Sequence, residues 1–171
     1  MRVFVALITT LLLAGCANMP EALQGVPESA PMPAAVRADP DAFAGERVRW
    51  GGRIVEVENT SGETRIAVLA RALQGGGRPG DTTAGGRFLA RFEGFVDPAE
   101  YAAGREITVV GEVVGAETRR IGDYPYRYPV VAVERHVLWA EPAPAPPPRY
   151  YDPWYGPYYS PFYPHRYPWY Y

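Results

Sequence analysis

The feature that most limits how this chain can fold is a set of short runs with a period of two, confined to residues 34–140. In Arg47–Glu58, Val48, Trp50, Gly52 and Ile54 fall on one face, and Arg47, Arg49 and Arg53 on the other. The phase then slips by one: Val55 and Val57 are apolar, Glu56 and Glu58 polar. A one-residue slip is what a β-bulge produces, and Gly51-Gly52 gives the strand room to bend. Asn59-Thr60-Ser61-Gly62 is a turn signal, and Thr64–Ala70 alternates again with Ile66 and Val68 inward, so the two runs read as a hairpin.

Three more strands follow. Arg87–Phe92 places Phe88, Ala90 and Phe92 on one face and Arg87, Leu89 and Arg91 on the other. Glu106–Ala116 is a Val-rich strand with Gly111 and Gly115, and Tyr128–Trp139 is a fifth strand, with Pro129 near its start. Between the third and fourth, Asp97-Pro98-Ala99-Glu100-Tyr101 predicts a short helical piece with Asp97 as N-cap, ended by Gly104. The Gly/Thr/Asp-rich stretch Gly75–Gly86 reads as a loop. Helix is too scarce for an α/β fold. The order predicts an all-β domain over 34–141, a small five-stranded OB-like barrel. A β-sandwich or an open antiparallel sheet is the alternative, favoured less because a barrel removes exposed strand edges.

The flanks have other compositions. Residues 1–15 carry one base, Arg2, and a nearly unbroken apolar run from Val3 to Leu13. That length fits a signal-peptide core and is too short to cross a bilayer as a helix. It ends in Leu13-Ala14-Gly15-Cys16, which looks like a bacterial lipobox: small residues before a cut between Gly15 and Cys16, and a thiol to accept diacylglycerol. Cys16 is the sole cysteine of the 171 residues, which excludes an intramolecular disulfide framework and a multi-cysteine metal site. The expectation is a mature chain that starts at Cys16, carries covalent diacylglycerol and an N-acyl chain such as palmitate, and needs no other cofactor. Ala17, rather than Asp, after the cysteine points to outer-membrane delivery. Residues 16–33 are Pro-rich and predict a lipidated tether with one helical turn around Glu21–Leu23. Residues 142–171 hold nine of the 13 tyrosines and ten of the 19 prolines, and read as a Pro/Tyr-rich tail that is disordered in isolation.

Charge excludes some functions. All 17 basic residues are Arg, set against 19 acidic ones, for a net charge of -2 that becomes -3 once Arg2 leaves with the leader. Such a chain lacks the basic balance of a nucleic-acid binder. Its two histidines are His136, within a strand, and His165, in the tail, and no acid–base–nucleophile set accompanies either, so no enzyme is expected. Glu56 and Glu58 share a strand face and read as solvated. Gly75-Gly76-Gly77-Arg78-Pro79-Gly80 lacks the Lys-Ser/Thr ending of a phosphate loop and reads as a flexible loop. Trp50 and Trp139 fit core or rim packing. A possible binding face remains: Arg47, Arg49 and Arg53 with Arg87 and Arg91, if the strands are neighbours, suited to anionic headgroups or phosphates. Tyr124, Tyr126 and Tyr128 alternate and either line a ledge at the barrel mouth or pack. The tail's Tyr and Trp favour membrane interfaces and sugar faces.

Several segments, taken in order, carry a resemblance. They are the lipobox with Cys16, Val48-Arg49-Trp50-Gly51-Gly52-Arg53-Ile54, Gly86-Arg87-Phe88-Leu89-Ala90, and Gly94-Phe95-Val96-Asp97-Pro98-Ala99-Glu100-Tyr101. Gly104-Arg105-Glu106-Ile107-Thr108-Val109-Val110-Gly111, Ile121-Gly122-Asp123-Tyr124 with Tyr126, Tyr128-Pro129-Val130-Val131 and His136-Val137-Leu138-Trp139 complete them. In this order they resemble the Slp (starvation lipoprotein) family of Gram-negative outer-membrane lipoproteins. The resemblance runs from Cys16 to Trp139, and the longer, more aromatic tail departs from it. It implies a non-enzymatic envelope protein on the cell outer membrane, associated with starvation, stationary phase and acid stress and with stabilising the cell surface. It brings no catalytic residues. A binding module that captures an envelope glycan, lipid or membrane protein is the alternative.

Overall fold

A computed structural model describes residues 19–141. Five strands, β1 (Arg47–Asn59), β2 (Glu63–Leu73), β3 (Pro79–Glu93), β4 (Glu106–Ile121) and β5 (Tyr124–Leu138), follow a 3-10 turn at Glu21–Leu23, a short helix α1 (Pro33–Ala38) and a second 3-10 turn at Asp41–Phe43. They close into a barrel in the order β1-β2-β3-β5-β4. All neighbours are antiparallel except β3 and β5, whose short parallel ladder (Leu89 with Val130, Ala90 with Val131, Arg91 with Ala132) joins the two halves. Closure leaves no open edge, so the barrel reading holds over the sandwich.

The bulge falls where the pattern slips. Ile54 pairs with Val68 and Glu56 with Ala67, so Val55 is the extra residue. At Gly52 a Cβ would lie 2.0 Å from the Leu69 carbonyl oxygen, and at Gly111 1.9 Å from that of Ala132, so both strand crossings require glycine. The Gly75–Gly86 loop is corrected: only residues 74–78 turn, and the rest belongs to β3. Leu69 pairs with Arg87 and Arg71 with Thr83, so Ala84-Gly85-Gly86 is extra chain opposite Ala70. Gly85 and Gly86 have φ of +86° and +105°, which lets the strand swing out and return to its ladder. The helical piece at Asp97 is a single hydrogen-bonded turn, with the Asp97 carboxylate accepting from Ala99 N at 2.9 Å.

The interior is a packed apolar core. Val48, Trp50 and Ile54 of β1 meet Ile66 and Val68 of β2, Phe88 and Phe92 of β3, Ile107, Val109 and Val113 of β4, and Val131 of β5. Trp50 meets Phe88 edge-on at 5.3 Å. Val36 of α1 joins this core, and Tyr101 of the Asp97 turn packs partly buried against it. A second, smaller cluster of Ala67, Leu89 and Tyr128 lies apart from it, joined by Val55, Tyr126 and Val130. Leu89, placed on the outer face by its phase, is therefore buried all the same.

Candidate functional site: the strapped face of the barrel

The chain before α1 is bound to the barrel. Leu23 is fully buried. Arg49 donates to the Leu23 carbonyl at 3.1 Å and approaches the Met19 sulfur at 3.2 Å. Arg135 donates to the carbonyls of Glu21 (3.2 Å) and Gln24 (2.9 Å), and the Trp50 indole donates to that of Pro31 at 2.8 Å. The helical turn predicted at Glu21–Leu23 is present, but the segment Met19–Pro31 is a strap held by side chains of β1 and β5. Val110 lies in register between Arg49 and Arg135 and is fully buried although its phase puts it outside. The strap explains that burial: it covers the outer face of β1, β4 and β5.

The Gly75–Arg78 loop completes this face. Gly77, with φ +83°, packs so closely on Leu23 that a Cβ there would lie 2.8 Å from Leu23 Cδ1. The buried Thr108 hydroxyl donates to the Gly77 carbonyl at 2.7 Å and accepts from the Trp139 indole at 3.0 Å. Arg78 donates to the Ala140 carbonyl at 3.0 Å, pairs with Glu106 at 2.8 Å and stands over the Trp139 ring at 5.7 Å. The two ends of the described chain, Met19 and Ala140, thus meet the same four-residue loop. Trp50 is core and Trp139 partly buried rim.

The five arginines predicted as one face are spread over four settings. Arg47 pairs with Glu134, and Arg49 is spent on the strap. Arg53 and Arg87 flank Leu69 in one register row, β2 lying between their strands. Arg91 lies across from Arg65 beside Glu63, in a charged group that also holds Glu117, Arg119 and Glu58. The reason is topological: β1 and β3 are not neighbours. Glu56 and Glu58 are both exposed, Glu58 accepting from Arg119 at 2.7 Å. Burial would lower the Arg119 pKa, yet its bonds to Glu117 and Glu58 raise it overall.

The three tyrosines also separate. Tyr124 is exposed, Tyr126 half-buried and Tyr128 buried. Tyr126 packs edge-on to Tyr128 at 4.8 Å, and its hydroxyl accepts from Arg37 and, at 2.9 Å, from Arg87 N. Tyr126 therefore ties α1 to the bulge of β3. Only Tyr124 is presented to solvent.

Composition did not reveal one polar group. The Tyr101 hydroxyl and His136 Nε2 share a hydrogen bond of 2.7 Å, with Phe92 edge-on to His136 at 5.1 Å. Burial lowers the His136 pKa below the usual histidine value, partly opposed by Glu100. Burial, with Glu100, raises that of Tyr101 against the lowering effect of Arg105. The only sequence signal for this pair is that His136 sits at an inward phase of β5; its partner is 35 positions away. Among the described residues no group of three or more metal-ligating side chains converges. A cleft of about 270 Å³ opens beside β2, β3 and β5, lined by Glu63, Arg91, Phe92, Ala132 and Val133.

The predicted leader, residues 1–15, with the Gly15–Cys16 cleavage and lipidation site, and the tail from residue 142 with His165 lie outside the described residues. Comparison with known proteins reaches them. The model of the outer membrane lipoprotein Slp family matches residues 13–171. It thus starts at Leu13, three residues before Cys16, and runs past Trp139 through the tail, where the resemblance had stopped. An Escherichia coli protein named "Uncharacterized lipoprotein YeaY" is 35% identical over 151 residues, covering 84% of this chain and 76% of its own. The E. coli "Outer membrane protein Slp" is 30% identical over 139 residues (78% of this chain, 73% of its own). A Haemophilus influenzae "Uncharacterized protein" is 36% identical over 94 residues (54% and 51%). With the family matched across nearly its whole length, the chain belongs to the Slp family of outer-membrane lipoproteins.

Proposed function

We propose that the mature chain is anchored by diacylglycerol and an N-acyl group on Cys16, and that it serves the outer membrane without catalysing a reaction, stabilising the cell surface under starvation or acid stress. The observation that carries this reading is the strap. The chain is bound to the barrel from Met19 onward, three residues after the one cysteine. A lipid on Cys16 would therefore act on a rigid body and not on a loose leash. The packed core supports the same reading, since the interior is filled by side chains of all five strands.

Fractionation of cells producing the wild type and Cys16→Ala tests the anchor, with mass spectrometry of the amino-terminal peptide. The wild type should float with the outer membrane and carry the added mass of three acyl chains. The variant should leave that fraction. A variant that still floats with the outer membrane refutes anchoring through Cys16. Survival of a deletion strain after starvation and acid challenge, restored by the wild type and not by Cys16→Ala, tests the physiological part.

A second reading has one observation in its favour, the cleft with Arg91, Glu63 and Phe92 on its walls. Its guanidinium and carboxylate suit hydrogen bonding to the hydroxyls of an envelope glycan. Retention of the mature protein on immobilised lipopolysaccharide or peptidoglycan, weakened by Arg91→Ala, would favour it.

A further inference from the structure

The ring of strands closes between β3 and β5 through three residue pairs, the last being Arg91 with Ala132. At the end of β3, Gly94 N donates to the Gly62 carbonyl at 3.0 Å. Bonded pairs alternate along an antiparallel ladder, so Thr64 and Phe92 are the next bonded pair of β2 and β3. The N–H and C=O of Glu93 therefore point the other way, toward β5. In a regular continuation Glu93 N–H would donate to the Val133 carbonyl, but the ladder stops before that bond. Two local causes part the strands. Val133 pairs with Gly111 and Arg135 with Val110, so Glu134 is an extra residue that bends β5. Gly94, with φ +76°, turns β3 out of the sheet, and its carbonyl is taken by the Thr64 hydroxyl at 2.9 Å.

The cleft of about 270 Å³ lies at this parting, lined by Glu93 from β3 and Val133 from β5. The C=O and N–H of a trans amide point in opposite directions. One such amide fits between the strands, its C=O accepting from Glu93 N–H and its N–H donating to the Val133 carbonyl. It would take the place of the bond that the strands do not make. A peptide added to a strand edge needs a run of alternating partners, and β3 offers one residue before it leaves at Gly94. The parting therefore suits a lone amide. Around it lie groups for hydroxyls. The Arg91 guanidinium stands 4.0 Å from the Glu63 carboxylate, too far for a hydrogen bond, which leaves its donors open to a ligand. Ala132 and Val133, both half-buried, offer apolar contact for a methyl group. A volume just under the ~300–1,000 Å³ of ordinary small-molecule sites suits one ring. An amide, a methyl and hydroxyls on one ring describe an N-acetylated amino sugar.

Resting on the glycan reading above, we infer that this cleft recognises N-acetylated amino sugars. Glu93 N–H and the Val133 carbonyl hold the acetamido group from its two sides, and Arg91 meets the ring hydroxyls.

Two trisaccharides test the acetamido contact apart from the glycan reading: tri-N-acetylchitotriose, and cellotriose, which carries hydroxyls in place of the acetamido groups. The full mature protein, held in detergent micelles, is titrated with each and followed by NMR. The acetylated sugar should bind at least about tenfold tighter and shift the Glu93 amide proton, and cellotriose should leave that proton in place. Glu93→Pro removes the N–H on the side that β2 does not use and should abolish the preference. Arg91→Ala should weaken both sugars. The Glu93 proton of the wild type decides the matter even where Glu93→Pro fails to fold. Equal binding of the two sugars overturns the acetamido contact and leaves the glycan reading standing; binding of neither overturns both. Trialanine bound as tightly as the acetylated sugar makes the cleft a peptide site and also overturns the proposal. Retention on peptidoglycan or on lipopolysaccharide, displaced by tri-N-acetylchitotriose, names the source of the sugar, and retention on neither overturns an envelope source.

Discussion

The barrel has two kinds of outer surface. Over β1 and β4 the outward positions Gly51, Thr108 and Val110 are small or apolar and all buried, flanked by the partly buried Arg49 and Arg135. They are covered by the strap and the Gly75–Arg78 loop, and the guanidinium donors of Arg49 and Arg135 there meet backbone carbonyls. On β1, β2 and β3, and on β4 beyond Val113, the outward positions Arg65, Arg91, Glu58, Glu117 and Arg119 are partly or fully exposed and pair among themselves and with Glu63. The first surface gains stability by removing apolar area from water and satisfying carbonyls. The second relies on charge pairs that water and salt screen. The difference teaches where the protein invests in rigidity: beside the route to Cys16.

That contrast can be broken from the strapped side first. Leu23→Ala empties a fully buried position. It should lower unfolding stability by about 2–4 kcal/mol, read by urea denaturation, with faster protease cleavage before Pro33. A variant as stable and as protected as the wild type would mean the strap is not bound in solution. Thr108→Val keeps the shape but leaves the Gly77 carbonyl and the Trp139 indole without their partner. It should cost about 1–3 kcal/mol; a neutral result would show that water replaces the hydroxyl.

A third change sharpens the comparison through pH. Burial holds the His136 pKa below its unfolded value, so the folded state binds fewer protons than the unfolded one. The resulting loss of stability starts as pH falls through about 6.5 and continues until the folded-state pKa is passed. His136→Gln should remove this portion of the pH dependence, leaving the loss that carboxylates cause further down. Parallel curves of melting temperature against pH for the two proteins would refute it. The smallest effect belongs to the charged side. Arg119→Ala should cost under about 1 kcal/mol, and less in high salt. A larger, salt-independent loss would mean that the charged face is as structural as the strapped one.

Much of the fold was legible because period two reports directly which residues face inward. Val48, Trp50, Ile54, Ile66, Val68, Phe88 and Phe92 are all buried as their phase requires. The bulge was legible at Val55 because an extra residue shifts the phase of everything after it. The glycines of β3 were not, since a wide bulge and a loop have the same composition. Nor was the fate of the arginines, because a strand pattern states a side chain's face and not its neighbours.

By itself, then, the sequence determined the parts: a β domain, an apolar run that ends just before Cys16, an aromatic tail, and membership of the lipoprotein family. These follow from local order and composition, which residues close in the chain decide. Only the tertiary structure decided that β3 joins β5 and not β4, that Tyr101 meets His136, that Met19–Pro31 is strapped down, and that the chain enters and leaves by the same loop. Each of these joins residues tens of positions apart. They depend on how a closed barrel brings its strands round to one another, which no local pattern records.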